Sequence, residues 1–254
     1  MRRCRIARAL VLTAALSSSV AVASTAAAQG GSTPAGPRQA DVERLVSQLK
    51  LGHSRVTVEV HGAIVVLSGT IETLWQKRQL VDAVRKLAGV AQVDSTLELV
   101  KAESDAQLAA AVTKAVRGYE LLTLYDFIDG AVKNAVVTLT GAVTNPKKHD
   151  DLVERIEKIP GVRDFTDHIT VLPLSPLDDQ TRVTIADRIY SDPMFDHYSA
   201  TDPPIHVIVD HGRVTLIGIV LSDIERRKAE SLARTAPNVF TVTNQIQLAS
   251  EIRR

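Results

Sequence analysis

Three stretches of the chain share one alternation of apolar and polar positions. Residues 61–71 read HGAIVVLSGTI, residues 133–143 KNAVVTLTGAV and residues 211–220 HGRVTLIGIV. In each, a turn signal precedes a strand with every second residue apolar or glycine: Val65, Leu67, Gly69 and Ile71; Val137, Leu139, Gly141 and Val143; Val214, Leu216, Gly218 and Val220. Period-two alternation buries one face of a sheet. A glycine inside such a row predicts a bulge, or a place where another backbone comes close, first of all that of the helix which follows. From Gly69 to Gly89, Gly141 to Gly161 and Gly218 to Asn238 the separation is 20 residues each time, the mark of tandem repeats.

The flanking segments complete one unit. Leu80, Val84 and Leu87 make a helical stripe, matched by Leu152, Ile156 and Ile159 in the second repeat. The third has Ala229, Ala233 and Ala236 there, so its helix is expected to pack differently, through Ile224 and Leu232. Gly89, Gly161 and Asn238 suit left-handed helix ends. Final strands are read at 93–100, 165–172 and 242–248, and opening helices at 41–50, 105–117 and 178–190. Each unit therefore reads helix, strand, strand, helix, strand. The fold class is α+β: three tandem αββαβ units, each a small three-stranded sheet with two helices packed on one face. The units span 40–100, 105–173 and 177–249, joined by connectors at 101–104 and 173–176, with inserts at 118–126 and 191–204. The pattern leaves open whether the last strand pairs beside the first or the second.

The N-terminus changes the picture of compartment. Arg2, Arg3, Arg5 and Arg8 precede a short apolar run, and Ala26, Ala27 and Ala28 offer small residues to a signal peptidase. This is a secretory signal over 1–28, cleaved near Ala28, too short in its apolar part to span a bilayer. A glycine- and proline-rich leader over 29–39 reads as disordered. The single cysteine, Cys4, lies within the signal, so the mature chain has no disulfide and no thiol chemistry. Removing four arginines and no acid takes the formal charge from +1 to −3, which argues against nucleic acid as a partner. No later apolar run has the length of a transmembrane segment. A periplasmic location is expected.

With its G-x-V-x-L-x-G-like strands and later glycine-valine turn, each unit resembles the BON domain, named for bacterial osmotic-shock and nodulation proteins. Two departures are Ala135, where the second unit should have the turn glycine, and Ala236-Pro237-Asn238 in place of the glycine-valine approach. The resemblance implies an envelope protein, active in envelope or osmotic stress, whose domains bind phospholipid or other envelope components without catalysis.

The residues themselves offer little chemistry. Of seven histidines, only the loose set His197, His206, Asp210 and His211 approaches a ligand cluster, and it reads more simply as surface histidines beside a hairpin. No nucleophile elbow, phosphate loop or paired-carboxylate pattern is present, so neither a catalytic residue nor a cofactor or metal is expected. Two aromatic groups, Tyr125 with Phe127 and Tyr190 with Phe195 and Tyr198, could line a groove or complete small cores. The more telling feature is a basic cluster at the start of each unit's second helix: Lys77 and Arg78, Lys147 and Lys148, and Arg226, Arg227 and Lys228. Trp75, the only tryptophan, stands beside the first. Positive charge at a helix N-terminus opposes the helix dipole, and tryptophan beside lysine and arginine suits a lipid headgroup boundary; the simpler alternative is a solvated helix face with Trp75 packed against a neighbour. Anionic phospholipid surfaces are the expected partner. The alternative is a periplasmic interaction or chaperone-like scaffold that binds envelope proteins through exposed sheet edges.

Overall fold

The computed structural model describes residues 36–100, 104–198 and 203–252. The signal segment with Cys4, the leader through residue 35, residues 101–103 of the first connector and 199–202 of the last insert lie outside the described residues. The first repeat runs α1 (Gln39–Gln48), β1 (Arg55–His61), β2 (Ile64–Ile71), α2 (Leu74–Arg85), then β3 (Gln92–Ser95) continued by β4 (Glu98–Leu99). The second runs α3 (Asp105–Arg117), β5 (Phe127–Lys133), β6 (Val136–Val143), α4 (Pro146–Glu157) and β7 (Asp164–Val171). The third has α5 (Pro176–Tyr190), a 3-10 turn at Pro193–Phe195, β8 (Ile205–Asp210), β9 (Arg213–Val220), α6 (Asp223–Arg234), β10 (Thr241–Leu248) and a closing turn of helix, α7 (Ala249–Ile252). This is the α+β arrangement of repeated αββαβ units.

In every repeat the hairpin strands are antiparallel and the final strand lies parallel beside the second, which is central. The helix between them is the crossover that a parallel pair requires. The central strand is thus paired on both edges, and its alternate side chains form the floor of the core. Val65, Leu67, Ile71, Val137, Leu139, Val143 and Leu216 are wholly buried. Leu80 and Val84 cover the first floor, and Leu152 and Ile156 the second.

The third core meets expectation at Leu232, which packs against it, but not at Ile224. Ile224 does not pack inward but is 62% exposed, while Ala229 and Ala233 are themselves fully buried. The volume missing at these alanines is supplied from the other side, by Ile185 and Ile189 of α5 and by Phe195 of the 3-10 turn. The insert before β8 is therefore part of the core.

The strand glycines mark close approaches, but to a different neighbour than the following helix. A Cβ on Gly69 or Gly141 would stand 2.0 Å from the carbonyl oxygen of Arg55 or Phe127, and one on Gly218 1.8 Å from that of Pro204. Each glycine faces the entry to the preceding strand, pairing with Val56, Ile128 or Ile205. The two hairpin strands draw together there, and only a residue without a side chain fits.

The second and third hairpin turns share a further rule. Asn134 and Ala135 adopt φ of 53° and 60°, and His211 and Gly212 50° and 71°, the left-handed pair of a tight hairpin. Ala135 accepts this conformation because the Asp105 carboxylate, in the first turn of α3, takes the N–H groups of Asn134 and Ala135 at 2.6 and 2.8 Å. Asp178 of α5 takes those of His211 and Gly212, both at 2.9 Å. Gly89, Gly161 and Asn238 have φ of 83°, 91° and 62° after their helices, as the sequence led one to expect.

Gly141→Val would drive a methylated carbon into the Phe127 carbonyl and force a left-handed backbone on a β-branched residue. Strain of this kind costs on the order of 1–3 kcal/mol. Calorimetry of the variant should show a melting temperature lower by roughly 3–10 °C; an unchanged one would contradict the close approach.

Candidate functional site

The second helix of each repeat starts from a polar cap: Thr73, Asn145 or Ser222 accepts the N–H of the residue three further on. This fixes the direction in which the first turn presents its side chains. Trp75, Lys147 and Ile224 are equivalent positions, six residues past the repeat glycine, and Arg78, Asp150 and Arg227 follow at nine.

Each cation singled out at these helix starts has a partner within the protein. The Lys77 Nζ donates to the Leu97 carbonyl at 3.0 Å. Arg78 pairs with Glu157 of the second repeat, whose side chain is only 5% exposed. Lys147 pairs with Asp151 at 2.9 Å, Arg227 with Asp223 at 2.8 Å, and Lys228 with Asp192 at 2.9 Å. Arg226 donates Nε–H to Asp223 at 3.0 Å and stands 3.9 Å from Glu251. Trp75 is half-buried, with the Lys158 ammonium 4.6 Å from its ring centroid. The structure thus separates one buried cation from several exposed ones.

Lys148 is the buried one. Its Nζ donates to Asp126 at 2.6 Å and to Thr144 Oγ1 at 2.8 Å. Asp126 is wholly buried and also accepts the N–H and O–H groups of Thr123 and Thr144. Burial pushes this carboxyl up, but Lys148 and the four donors from the two threonines outweigh it and hold the pKa below the ordinary carboxylate value. The pair fastens the insert before β5 to α4. Beyond it, Leu124 offers its carbonyl to the Val207 N–H at 2.8 Å, on the outer edge of β8. Sequence reading gave Lys148 to a surface and missed this partner; the nearest signal was the Tyr125-Asp126-Phe127 run. The two aromatics serve the same joint. Tyr125 packs against the third core, and Phe127 meets His206 edge-on at 5.5 Å.

The other aromatic group seals the third repeat. Tyr190 Oη bridges the N–H and carbonyl of Ile205 at 3.0 and 2.7 Å. Tyr198 donates to Glu225 at 2.8 Å, and burial, with that carboxylate beside it, pushes its hydroxyl up to about 12. Among the described residues no group of three or more His, Asp or Glu is placed to hold a metal ion. His197 is 3.6 Å from Glu225, and His211 2.5 Å from Asp210. His149, on α4, lies between Asp150 at 3.0 Å and Asp167 of β7 at 2.6 Å. The hydrogen bond to Asp150, against some burial and helped by Asp167, raises its pKa.

Two measurements follow. Lys148→Met leaves Asp126 charged and buried without its cation, which costs about 3–5 kcal/mol; chemical denaturation should show the loss, and a variant as stable as the parent would remove Lys148 from this role. A raised folded pKa at His149 means stability fully present below about pH 6.5, the unfolded value, and lost as pH rises through the folded one. The melting temperature should fall from pH 6 to pH 8, and His149→Gln should flatten that slope. An equal slope in both proteins would assign it to other groups.

The family comparison agrees with this architecture. The family model described as BON domain matches residues 39–101, 103–173 and 178–250. A search of the curated proteins finds no match. Among solved structures, two of CdsD, a structural protein of the type III secretion system of Chlamydia trachomatis, align at 14% identity and a TM-score of 0.24. One alignment covers 84% of this chain and 94% of the other, and the second, of the CdsD C-terminal domain, 83% and 96%. BON domains are, as a family, phospholipid-binding modules of periplasmic type and generally non-catalytic. Among the described residues no helix is long and apolar enough to cross a membrane. With three tandem matches that together take in most of its length, the chain belongs to the BON domain family.

Proposed function

We propose that the protein is a non-catalytic component of the periplasm that docks on anionic phospholipid surfaces, leading with the end of the third repeat where α6 begins. One observation carries this reading. At that end Leu221 and Ile224 are 64% and 62% exposed, directly beside Arg227, whose side chain is 72% exposed. Ile224 and Arg227 are three residues apart and share a helical face. Ile252 of α7, also exposed, belongs to the same end, because Glu251 accepts the Leu248 N–H at 3.1 Å and stands near Arg226.

Exposed apolar side chains beside an exposed arginine suit an interfacial contact. That Arg227 already has Asp223 is no obstacle, since exposed ion pairs are worth about 0–1 kcal/mol. A basic residue at an anionic bilayer gains about as much, roughly 1 kcal/mol, so headgroups compete with Asp223 on equal terms. Lys147 offers a similar exposed cation in the second repeat, whereas buried Lys148 takes no part. Several weak contacts on one chain add through effective concentration.

Flotation with phosphatidylglycerol-containing vesicles tests this. Ile224→Asp with Arg227→Glu removes one apolar anchor and reverses one charge, so binding should fall at least about tenfold, the effect of some 1.4 kcal/mol. Added salt should weaken binding of the parent protein. Equal flotation of parent and variant, or none by either, would end this reading.

A further inference from the structure

The face that is open in the third repeat exists in the first, where Leu74 and Trp75 are half-buried and Arg78, its side chain 59% exposed, is paired. Trp75 and Arg78 hold the positions of Ile224 and Arg227, at six and nine residues past the glycine. In the first repeat, however, they are turned against the second. Leu74 packs on the second core beside Ile159 and Phe165. Arg78 is engaged by Glu157, and Lys158 lies over the Trp75 ring at 4.6 Å.

This contact is loosely made. A cleft of about 660 Å³ runs beside it, between α2 and α4. Its second-repeat wall carries Asp150, Asp164 and Asp167, with His149 between the first and the last of them. That wall repels an anionic surface while it attracts Arg78, so the closed joint both hides the apolar residues and neutralises the cation next to them. The Glu157 carboxylate and a phosphate headgroup compete for one guanidinium. The second and third repeats lack the components of an equivalent clasp. Asp150 stands where Arg78 would be in the second repeat, and Arg234 where Glu157 would be in the third.

We infer that Leu74, Trp75 and Arg78 form a second docking face for anionic phospholipid bilayers, held shut by Glu157 and Lys158 of the second repeat. It rests on the membrane reading above but concerns a different face and its control. Swinging the first repeat off α4 would expose the tryptophan and free the arginine together, so a bilayer that captures both opens the clasp.

Trp75 is the only tryptophan and reports on the joint directly. The test uses the exported chain with Ile224→Asp and Arg227→Glu, which disables the third-repeat face, with and without Glu157→Gln. Lys158→Ala, a change at a half-exposed side chain, loosens the same joint without altering a buried site. Either loosening change should raise flotation with phosphatidylglycerol vesicles by about fivefold, the effect of one basic residue at such a surface. Trp75 emission should shift to the blue on adding vesicles and become more open to acrylamide without them. Unmoved emission and flotation in both loosened proteins overturn the clasp, and leave the membrane reading standing if the parent still floats. Trp75 freed to acrylamide without any gain in flotation also overturns it. If no protein floats, both readings fall.

Discussion

Everything in this chain depends on covering one apolar row on a central strand. Val65, Leu67 and Ile71, and their counterparts in β6 and β9, can leave water only if a helix lies on their face of the sheet and a strand pairs on either edge. The strand-helix-strand crossover supplies two of those three neighbours in a single passage of chain, and the hairpin supplies the third. What the crossover cannot supply is room at the hairpin's mouth, where the first strand enters across the second. The three glycines resolve this by having no Cβ to meet the carbonyls of Arg55, Phe127 and Pro204. The apolar row and the glycine are therefore two halves of one solution, which is why they recur together.

The same arrangement leaves each repeat with a free helix start and two sheet edges, and the chain uses them unequally. The first joint uses a helix start, with Leu74, Trp75 and Arg78 laid on α4. The second uses a sheet edge, with the Leu124 carbonyl and Tyr125 laid against β8 and the core behind it. The buried Asp126–Lys148 pair makes the second joint possible, because it gives an irregular nine-residue insert one fixed conformation. Burying two charges gains little in net stability, but five donors converging on one carboxylate determine where the insert runs.

Much of this was legible in the sequence, and what was not has a common cause. Period-two and helical periodicities depend on contacts within one repeat, so β2, β6, β9 and the stripes of α2 and α4 could be read directly. Left-handed ends at Gly89, Gly161 and Asn238 are equally local. The stripe at Ala229 and Ala233 misled because its partners, Ile185, Ile189 and Phe195, come from another helix and from an insert. Lys148 misled for the same reason. A lysine in a helical first turn looks solvated until Asp126 is brought to it from 22 residues away. The turn at Ala135 seemed to lack its glycine because Asp105, 30 residues earlier, was not yet known to hold it. Charge pairs and clamps between elements leave no periodic trace.

The fate of the sheet edges bears on how such a protein can meet a partner. An extended peptide adds to a sheet through unpaired backbone N–H and carbonyl groups, and natural sheets blunt such edges. Here the blunting is done by side chains and, on β8, also by the Leu124 carbonyl. On β7 Asp167 accepts the N–H of Ile169 at 2.9 Å, and on β10 Asn244 accepts that of Ile246 at 3.1 Å. Glu251 takes the N–H of Leu248, while Tyr190 and Leu124 occupy β8. A strand arriving at β10 would have to displace Asn244, whose amide is anchored to the Arg226 carbonyl and to Glu230 at 3.1 and 3.0 Å. Edge pairing with an unfolded client is thus disfavoured on β7, β8 and β10, whereas Leu221, Ile224 and Ile252 stand exposed at the start of α6. The proposed bilayer contact at that end would need no backbone hydrogen bond, which is the physical reason to propose a bilayer rather than a peptide.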